Sequence, residues 1–300
     1  ARITEDALIE TTGGSVGVNA DSFTDIRNFA VSITGSGGGN SVGGTLAVNL
    51  FLTDKKAIIG SSSDSDNNID VNAANAVNVG VAAKQEIVNG IISASVSTSD
   101  NAISGALSTN VVKGQSLALT QQDVDINTDS SINSASSTQS VEVKAEDNTT
   151  ITDLTGTLAA SNNTSVGVAL GANVFWKDVQ AGINGNVTAD DTVAILADTR
   201  QNLTATVVGI AGSSGGLAGA GSVSVGIVKS TTNATIGSES VIDTDGSVQL
   251  HAGDDTDIFM LEPAASFSTG GNALAGAVGA AVFVGSTKAR ILDNATITAK

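Results

Sequence analysis

The chain has 300 residues, no cysteine and a net charge of −17, from 30 acidic and 13 basic groups. That balance excludes the basic stripe that phosphate binding needs and argues against docking on anionic lipid. The missing cysteines remove disulfides, thiolate metal sites and cysteine nucleophiles together.

Apolar residues make up 41% of the chain but aromatics only 3%, so any core must be built from Val, Ile, Leu and Ala. The 34 glycines and single proline suit long strand ladders, because a proline removes a ladder hydrogen bond. Pro263 is therefore expected at a corner or an edge. The opening ARITEDALIE does not read as a signal peptide. An uninterrupted apolar run of about 18 residues is lacking, so no membrane span is expected.

Three landmarks recur in fixed order. The first is an A-x-[IL] strand start: Ala1-Arg2-Ile3, Ala57-Ile58-Ile59, Ala181-Gly182-Ile183, Ala234-Thr235-Ile236 and Ala289-Arg290-Ile291, with a degenerate copy at Leu117-Ala118-Leu119. Successive starts lie 56, 60, 64, 53 and 55 residues apart. The second landmark is a short alternating strand closed by alanine: VGVNA (16–20), IDVNA (69–73), VEVKA (141–145), VAILA (193–197) and VQLHA (248–252). The third is a Ser/Gly/Asn loop followed by a run of small and apolar residues. Those runs are SVGGTLAVNLFL, AISGALSTNVV, VGVALGANVFW, LAGAGSVSVGIV and ALAGAVGAAVFV. Coincidence of all three at one phase marks an internal repeat.

The second repeat departs from the others. TQQDVDINTDSSINSASSTQS, between Leu119 and Val141, reads as an extra strand through Val124 and Ile126 plus a loop, an insertion at 120–140. The run 273–284 is apolar at both alternating sets of positions, as in a strand buried on both sides. Residues 1 and 289 begin the same landmark, so 1–300 reads as one continuous solenoid segment without caps, cut from a longer array.

Period-two alternation dominates, and no convincing helical stripe interrupts it. A repeated unit of strands alone is best satisfied by stacking, with each strand paired to its equivalent in the next coil. The expected fold is all-β: a right-handed parallel β-helix, or β-solenoid, of about five repeats of roughly 55 residues. Two coils per repeat are favoured, giving a rod roughly 50 Å long at the usual coil spacing. A propeller would show aromatic blade signatures, and sandwich domains run longer.

Runs such as GVALGANVFWKDVQAGINGNV with TVAILAD, and GAGSVSVGIVKSTTNATIGSESVI with SVQLHA, resemble the repeats of large bacterial filamentous adhesins. These are the leukotoxin-type and filamentous-haemagglutinin-like exoproteins exported by autotransporter or two-partner routes. The resemblance covers all five units. It implies an extracellular or cell-surface location and a structural or adhesive role, and it carries no catalytic residue onto this chain.

The candidate chemistry is sparse. Asp64-Ser65-Asp66, Asp190-Asp191, Asp243-Thr244-Asp245-Gly246 and Asp254-Asp255-Thr256-Asp257 fall between expected strands. Calcium needs six to eight oxygens. Turns are the simpler reading of these clusters, since Asp caps its own backbone. His251 alternates with Val248 and Leu250 and reads as a solvent-facing strand residue; alone it forms neither a usual zinc site nor a supported triad. Phe175, Trp176 and Lys177 form the densest aromatic point, more simply core or edge packing than an adhesive handle. The sequons at Asn148, Asn162, Asn163, Asn186, Asn202, Asn233 and Asn294 follow from Asn/Thr abundance. No catalytic, cofactor or metal residue is therefore assigned. The expected partner is the array itself, by end-to-end stacking, with a surface glycan or host surface, met through the 120–140 insertion or the Ser/Gly/Asn loops, as alternative. Paired acids leave a polysaccharide-acting enzyme as the weakest reading.

Overall fold

The structure is a computed structural model that describes residues 1–4, 7–60, 69–129 and 139–300. Strands β1 (Arg2–Ile3), β4 (Ser41–Ile59), β7 (Ala102–Thr120), β10 (Ser165–Ile183), β13 (Ala218–Ile236) and β17 (Ala273–Ile291) form sheet I, in that order. Sheet II is short. It stacks β2 (Leu8–Thr11), β5 (Ile69–Ala73), β8 (Val124–Ile126), β11 (Asn186–Ala189), β14 (Val241–Thr244) and β18 (Thr296–Ala299). Sheet III stacks β3 (Val16–Ser36), β6 (Ala76–Ser97), β9 (Ser140–Ser161), β12 (Val193–Ser213) and β15 (Val248–Leu261), with β16 (Ala264–Ser268) also pairing β12. Each of these pairings is parallel and joins equivalent strands of successive repeats. The chain is thus a parallel β-solenoid.

Each repeat makes one wide coil, not the two that its length suggested. Ala57 pairs with Ala118, Ala118 with Ala181, Ala181 with Ala234 and Ala234 with Ala289. Apart from short β1, the strands of sheet I run 19 residues without a break, and β6 of sheet III runs 22. With no turn chemistry midway, nothing bends the chain into a second coil. Twenty residues at about 3.3 Å each give strands roughly 65 Å long, and six strands at about 4.8 Å give a stack of about 24 Å. The solenoid is therefore a flattened blade, wider than it is tall.

Several landmarks change role. The A-x-[IL] elements are strand ends, at the last residues of β4, β10, β13 and β17, and Ala118 rather than Leu117 holds the second-coil position. VGVNA, VEVKA, VAILA and VQLHA do share one ladder through Val16, Val141, Val193 and Val248. Its member in the remaining coil is Val77, whereas IDVNA belongs to sheet II. Val124–Ile126 is the regular sheet II strand of its coil, paired with β5 and β11, not an extra one. Within that insertion, 130–138 lie outside the described residues, as does Asp64-Ser65-Asp66. Pro263 sits between β15 and β16 on the edge of sheet III, where its carbonyl accepts from Gly209 N–H at 3.1 Å and no donor is required of it.

The main core fills the wide end, where sheet II closes the prism. Val77, Val141 and Val193 face Ala118, Ala181 and Ala234 there, with Val71, Ile126, Val187 and Ile242 from the short sheet. Burying each Val or Ile contributes about 1.5–3 kcal/mol. A second apolar cluster (Ile87, Val112, Ile151, Phe175, Leu203, Val228) lies farther along the blade. Beyond it sheets I and III converge. A Cβ on Gly209 would stand 2.3 Å from the Gly221 carbonyl oxygen, and one on Gly167 2.5 Å from that of Ile210. Glycine there lets the backbones meet.

That convergence inverts the usual polarity of a strand. In β4 the inward set is Ser41, Gly43, Thr45, Ala47, Asn49, Phe51 and Thr53, and the outward set includes Val42, Leu46, Val48, Leu50 and Leu52, each more than 60% exposed. The run 273–284 is likewise not buried on both sides. It lies in β17 of sheet I, whose outward set includes Leu274, Val278 and Val282, all exposed.

Candidate functional site

A groove of about 760 Å³ crosses the outer face of sheet III along the stacking direction. Parallel register builds it, because one strand position becomes a ladder across every coil. One ladder runs Asp21, Ala82, Glu146, Asp198, Gly253, and its neighbour runs Phe23, Lys84, Asn148, Arg200, Asp255. Ala82 and Gly253 leave the acidic ladder low at two coils.

The walls are charged and mutually paired. Arg200 Nε donates to Asp255 Oδ2 at 3.2 Å, Lys144 Nζ stands 2.6 Å from Glu146 Oε1, and His251 Nε2 lies 3.3 Å from Asp198 Oδ1. The Lys84 ammonium sits 5.7 Å from the Phe23 ring centre. Arg200 and Asp255 are 67% and 71% exposed, so such pairs contribute about 0–1 kcal/mol each. The hydrogen bond and attraction of Glu146 hold the Lys144 amine above its ordinary value. The groove is thus a solvated pair of ladders, one acidic and one of mixed character, suited to an extended polar chain lying along the stacking direction.

Directly beneath it, inside the blade, lies a buried ionic cluster. Asp147 is 1% exposed and Lys177 fully buried, with Lys177 Nζ 3.0 Å from Asp147 Oδ1. Lys55 Nζ approaches Asp147 Oδ2 to 3.8 Å. Ser116 Oγ and Thr149 Oγ1 donate to the same carboxylate at 3.1 and 2.8 Å, and Lys177 Nζ also donates to Gln85 Oε1 at 3.0 Å. Two cations thus share one anion. Burial pushes both amines below the ordinary lysine value, against the opposing pull of Asp147. Gly114 makes the room: its missing Cβ would lie 3.7 Å from Lys177 Nζ and 2.6 Å from the Thr53 carbonyl oxygen.

Farther toward the narrow edge, a row of amides runs through successive coils. Asn28 Nδ2 donates to Asn49 Oδ1 at 3.3 Å, Asn49 to Asn110 at 2.7 Å, Asn110 to Asn173 at 2.7 Å, and Asn173 to Asp153 Oδ2 at 3.1 Å. A branch enters from Asn89 Nδ2 through Ser108 Oγ to Asp153 Oδ1. Every donor points toward Asp153, where the row and its branch end. Burial pushes its carboxyl above the ordinary value, opposed by hydrogen bonds from Ser108, Asn173 and Thr155.

The residues flagged in the sequence scatter. His251 faces solvent at 61% exposure beside the groove. Trp176 is not core; it stands on the outer face of sheet I at 46% exposure, with Lys113 and Lys229 Nζ 4.8 and 4.4 Å from its ring centre. Its neighbours Phe175 and Lys177 are buried, as alternation requires. Asp254, Asp255 and Asp257 lie in strand β15, not a loop, and Asp255 joins the groove. Asp190 and Asp191 sit in a turn, and Asp243 and Asp245 lie at the end of β14. Among the described residues no three His, Cys, Asp or Glu converge in a metal-holding arrangement, and no helix is long and apolar enough to cross a membrane. Sequence reading missed the groove, the ionic cluster and the amide row. Equal residue positions in successive repeats, aligned in register, are the signal that reveals the ladders.

Comparison of the chain with protein-family models, with curated proteins and with solved structures returns no match.

Proposed function

We propose that this chain is a mechanical element of an extracellular bacterial surface protein, a structural or adhesive segment whose work is to hold shape and distance. One observation carries the reading: three continuous parallel ladders, each in register over successive coils, make a prism that can lengthen coil by coil without changing cross-section. Stability in such stacks is a sum of units and their nearest-neighbour interfaces, so length is added at constant stiffness. The extracellular placement rests on the resemblance of the repeats to filamentous exoproteins.

The test is a tandem chain in which residues 1–288 are fused directly to a second copy, so that Ala1 of the second copy takes the place of Ala289. Electron microscopy is expected to show the same cross-section lengthened by about five coils, or roughly 24 Å. Two separate blades joined flexibly, or collapsed particles, would contradict a continuous spacer.

The groove on sheet III favours a second reading, a glycan-binding module. One ladder presents the acceptors Glu146 and Asp198 on adjacent coils, and the next presents the donors Lys84 and Arg200, beside the exposed ring of Phe23. A glycan array decides this reading. Retention that Arg200→Ala and Glu146→Ala each weaken supports it, and a blank array removes it.

A further inference from the structure

Trp176 is the single tryptophan of the chain, and a spacer role leaves its exposed ring without a task. It stands on the outward ladder of sheet I that runs Leu52, Lys113, Trp176, Lys229, Val284 along the stacking direction. Parallel register thus puts one exposed lysine on each coil that flanks the ring. Both lean onto it, with Lys113 and Lys229 Nζ 4.8 and 4.4 Å from its centre. Attraction to the ring fixes where the two charges sit, at about 0.5–1 kcal/mol per contact at an exposed site. Neither ammonium has a carboxylate within ion-pair distance among the described residues. Asp178, two residues beyond Trp176, is taken up otherwise: its oxygens accept from Gln180 Nε2 at 2.9 and 3.0 Å and from Gln115 Nε2 at 3.4 Å. Two cations therefore stand together without a counter-charge on a chain of net charge −17.

The geometry points to a binding site for an acidic polysaccharide, a sugar chain bearing carboxylates at intervals, laid along the stacking direction across Lys113, Trp176 and Lys229. The ladders on either side suit sugar rings. Leu50, Val111, Val174 and Ile227, on the side of the narrow edge, offer an apolar floor to C–H faces. Gln115 and Thr231, on the other side, offer partners to hydroxyls. Each ammonium then takes a carboxylate by a charge-assisted hydrogen bond.

Charge spacing selects a sugar chain over denser polyanions. The strands that carry Lys113 and Lys229 are two coils apart, about 9.6 Å. A chain with an acid on alternate sugars brings roughly one carboxylate to each lysine. Duplex nucleic acid carries a charge every ~1.7 Å, so several phosphates would meet two cations beside Asp54 and Asp178. An anionic bilayer meets the same mismatch. The site lies on sheet I, apart from the groove on sheet III, and neither the spacer reading nor the groove depends on it.

The lone indole reports on its own site, since the chain has no tyrosine and no second tryptophan. The native chain is titrated at low salt with hyaluronan oligosaccharide, which bears a carboxylate on alternate sugars, and with polygalacturonate, which bears one on each. Tryptophan emission and isothermal calorimetry are read together. At least one of the two is expected to bind saturably, with a dissociation constant that rises with salt. Lys113→Gln and Lys229→Gln should each raise that constant about threefold to tenfold, with unchanged circular dichroism and melting temperature. Arg200→Ala, in the sheet III groove, should leave it unchanged, and the methyl-esterified polymers should not bind. The proposal is overturned by silence with both acids, by equal binding of the esters, by lysine variants that bind as the native chain does, or by tighter binding of duplex DNA or phosphatidylserine vesicles. A loss in Arg200→Ala alone would assign the glycan to the groove instead.

Discussion

Replacing Asp147 by Asn tests whether the buried ionic cluster holds sheets I and III together. The substitution keeps shape and removes the charge that two buried ammonium groups share. At an effective dielectric of about 20, the Lys177 contact at 3.0 Å corresponds to roughly 5.5 kcal/mol and the Lys55 contact at 3.8 Å to roughly 4.4 kcal/mol of lost attraction. Deprotonation caps the loss. Neutralising one lysine of ordinary value 10.5 at pH 7 costs about 4.8 kcal/mol, after which Lys177 no longer needs a counter-charge. Breaking one side of a buried pair commonly costs about 3–5 kcal/mol, and that is the expected loss here. The cap also sets the pH dependence. A lysine neutral in the folded variant and charged when unfolded favours folding as pH rises, so the deficit against the native chain should shrink by about 1.4 kcal/mol per unit toward pH 10. Urea unfolding followed by circular dichroism at pH 7, 8.5 and 10 measures both. The double variant Asp147→Asn/Lys177→Met should recover part of the loss. A deficit below about 1 kcal/mol with no alkaline recovery would refute the reasoning.

Other expectations follow from the same interior. Asn110→Ala leaves Asn49 Nδ2 and Asn173 Oδ1 without their partners, at about 1–3 kcal/mol each, measured as a fall in unfolding midpoint. Gly209→Ala drives a methyl onto the Gly221 backbone and should cost several kcal/mol, while Gly212→Ala, where the added Cβ has open space, should cost less than about 1 kcal/mol; equal effects would deny the close approach of the sheets. In the native chain the raised carboxyl of Asp153 keeps its proton in the folded state above 3.8, so stability should fall as pH rises through that window and level off above it. Asp153→Ala should abolish that slope, and a slope that survives would assign it to another group.

The stacking was legible in the sequence because a repeat of alternating strands without helices has few other ways to bury itself. Ladder residues such as Val141, Val193 and Val248 announced the register at the wide end. The coil number was not legible. A 55-residue unit fits two small turns or one wide one, and the difference lies in whether long alternation such as Ser41–Ile59 is ever broken by a turn. The direction of alternation was also hidden. In SVGGTLAVNLFLT, the rule that apolar residues face inward selects the wrong set, because glycine-lined sheets leave room for Ser41, Thr45 and Asn49 but little for Leu46 and Leu50. The ionic cluster joins Lys55, Gln85, Asp147 and Lys177, brought together from different coils and opposite sheets, and no local pattern records that meeting.

The central claim is one wide coil per repeat, and a disulfide measures it most directly. Asn148 and Arg200 are register partners on adjacent coils, about 4.8 Å apart, on the outer face of sheet III. In an Asn148→Cys/Arg200→Cys chain, oxidation should form an intramolecular bond, shown by faster migration on a denaturing gel and by mass after digestion. Two coils per repeat would hold those positions about 9.6 Å apart, beyond disulfide reach. Both thiols remaining free in the folded, oxidised chain would contradict the single-coil architecture.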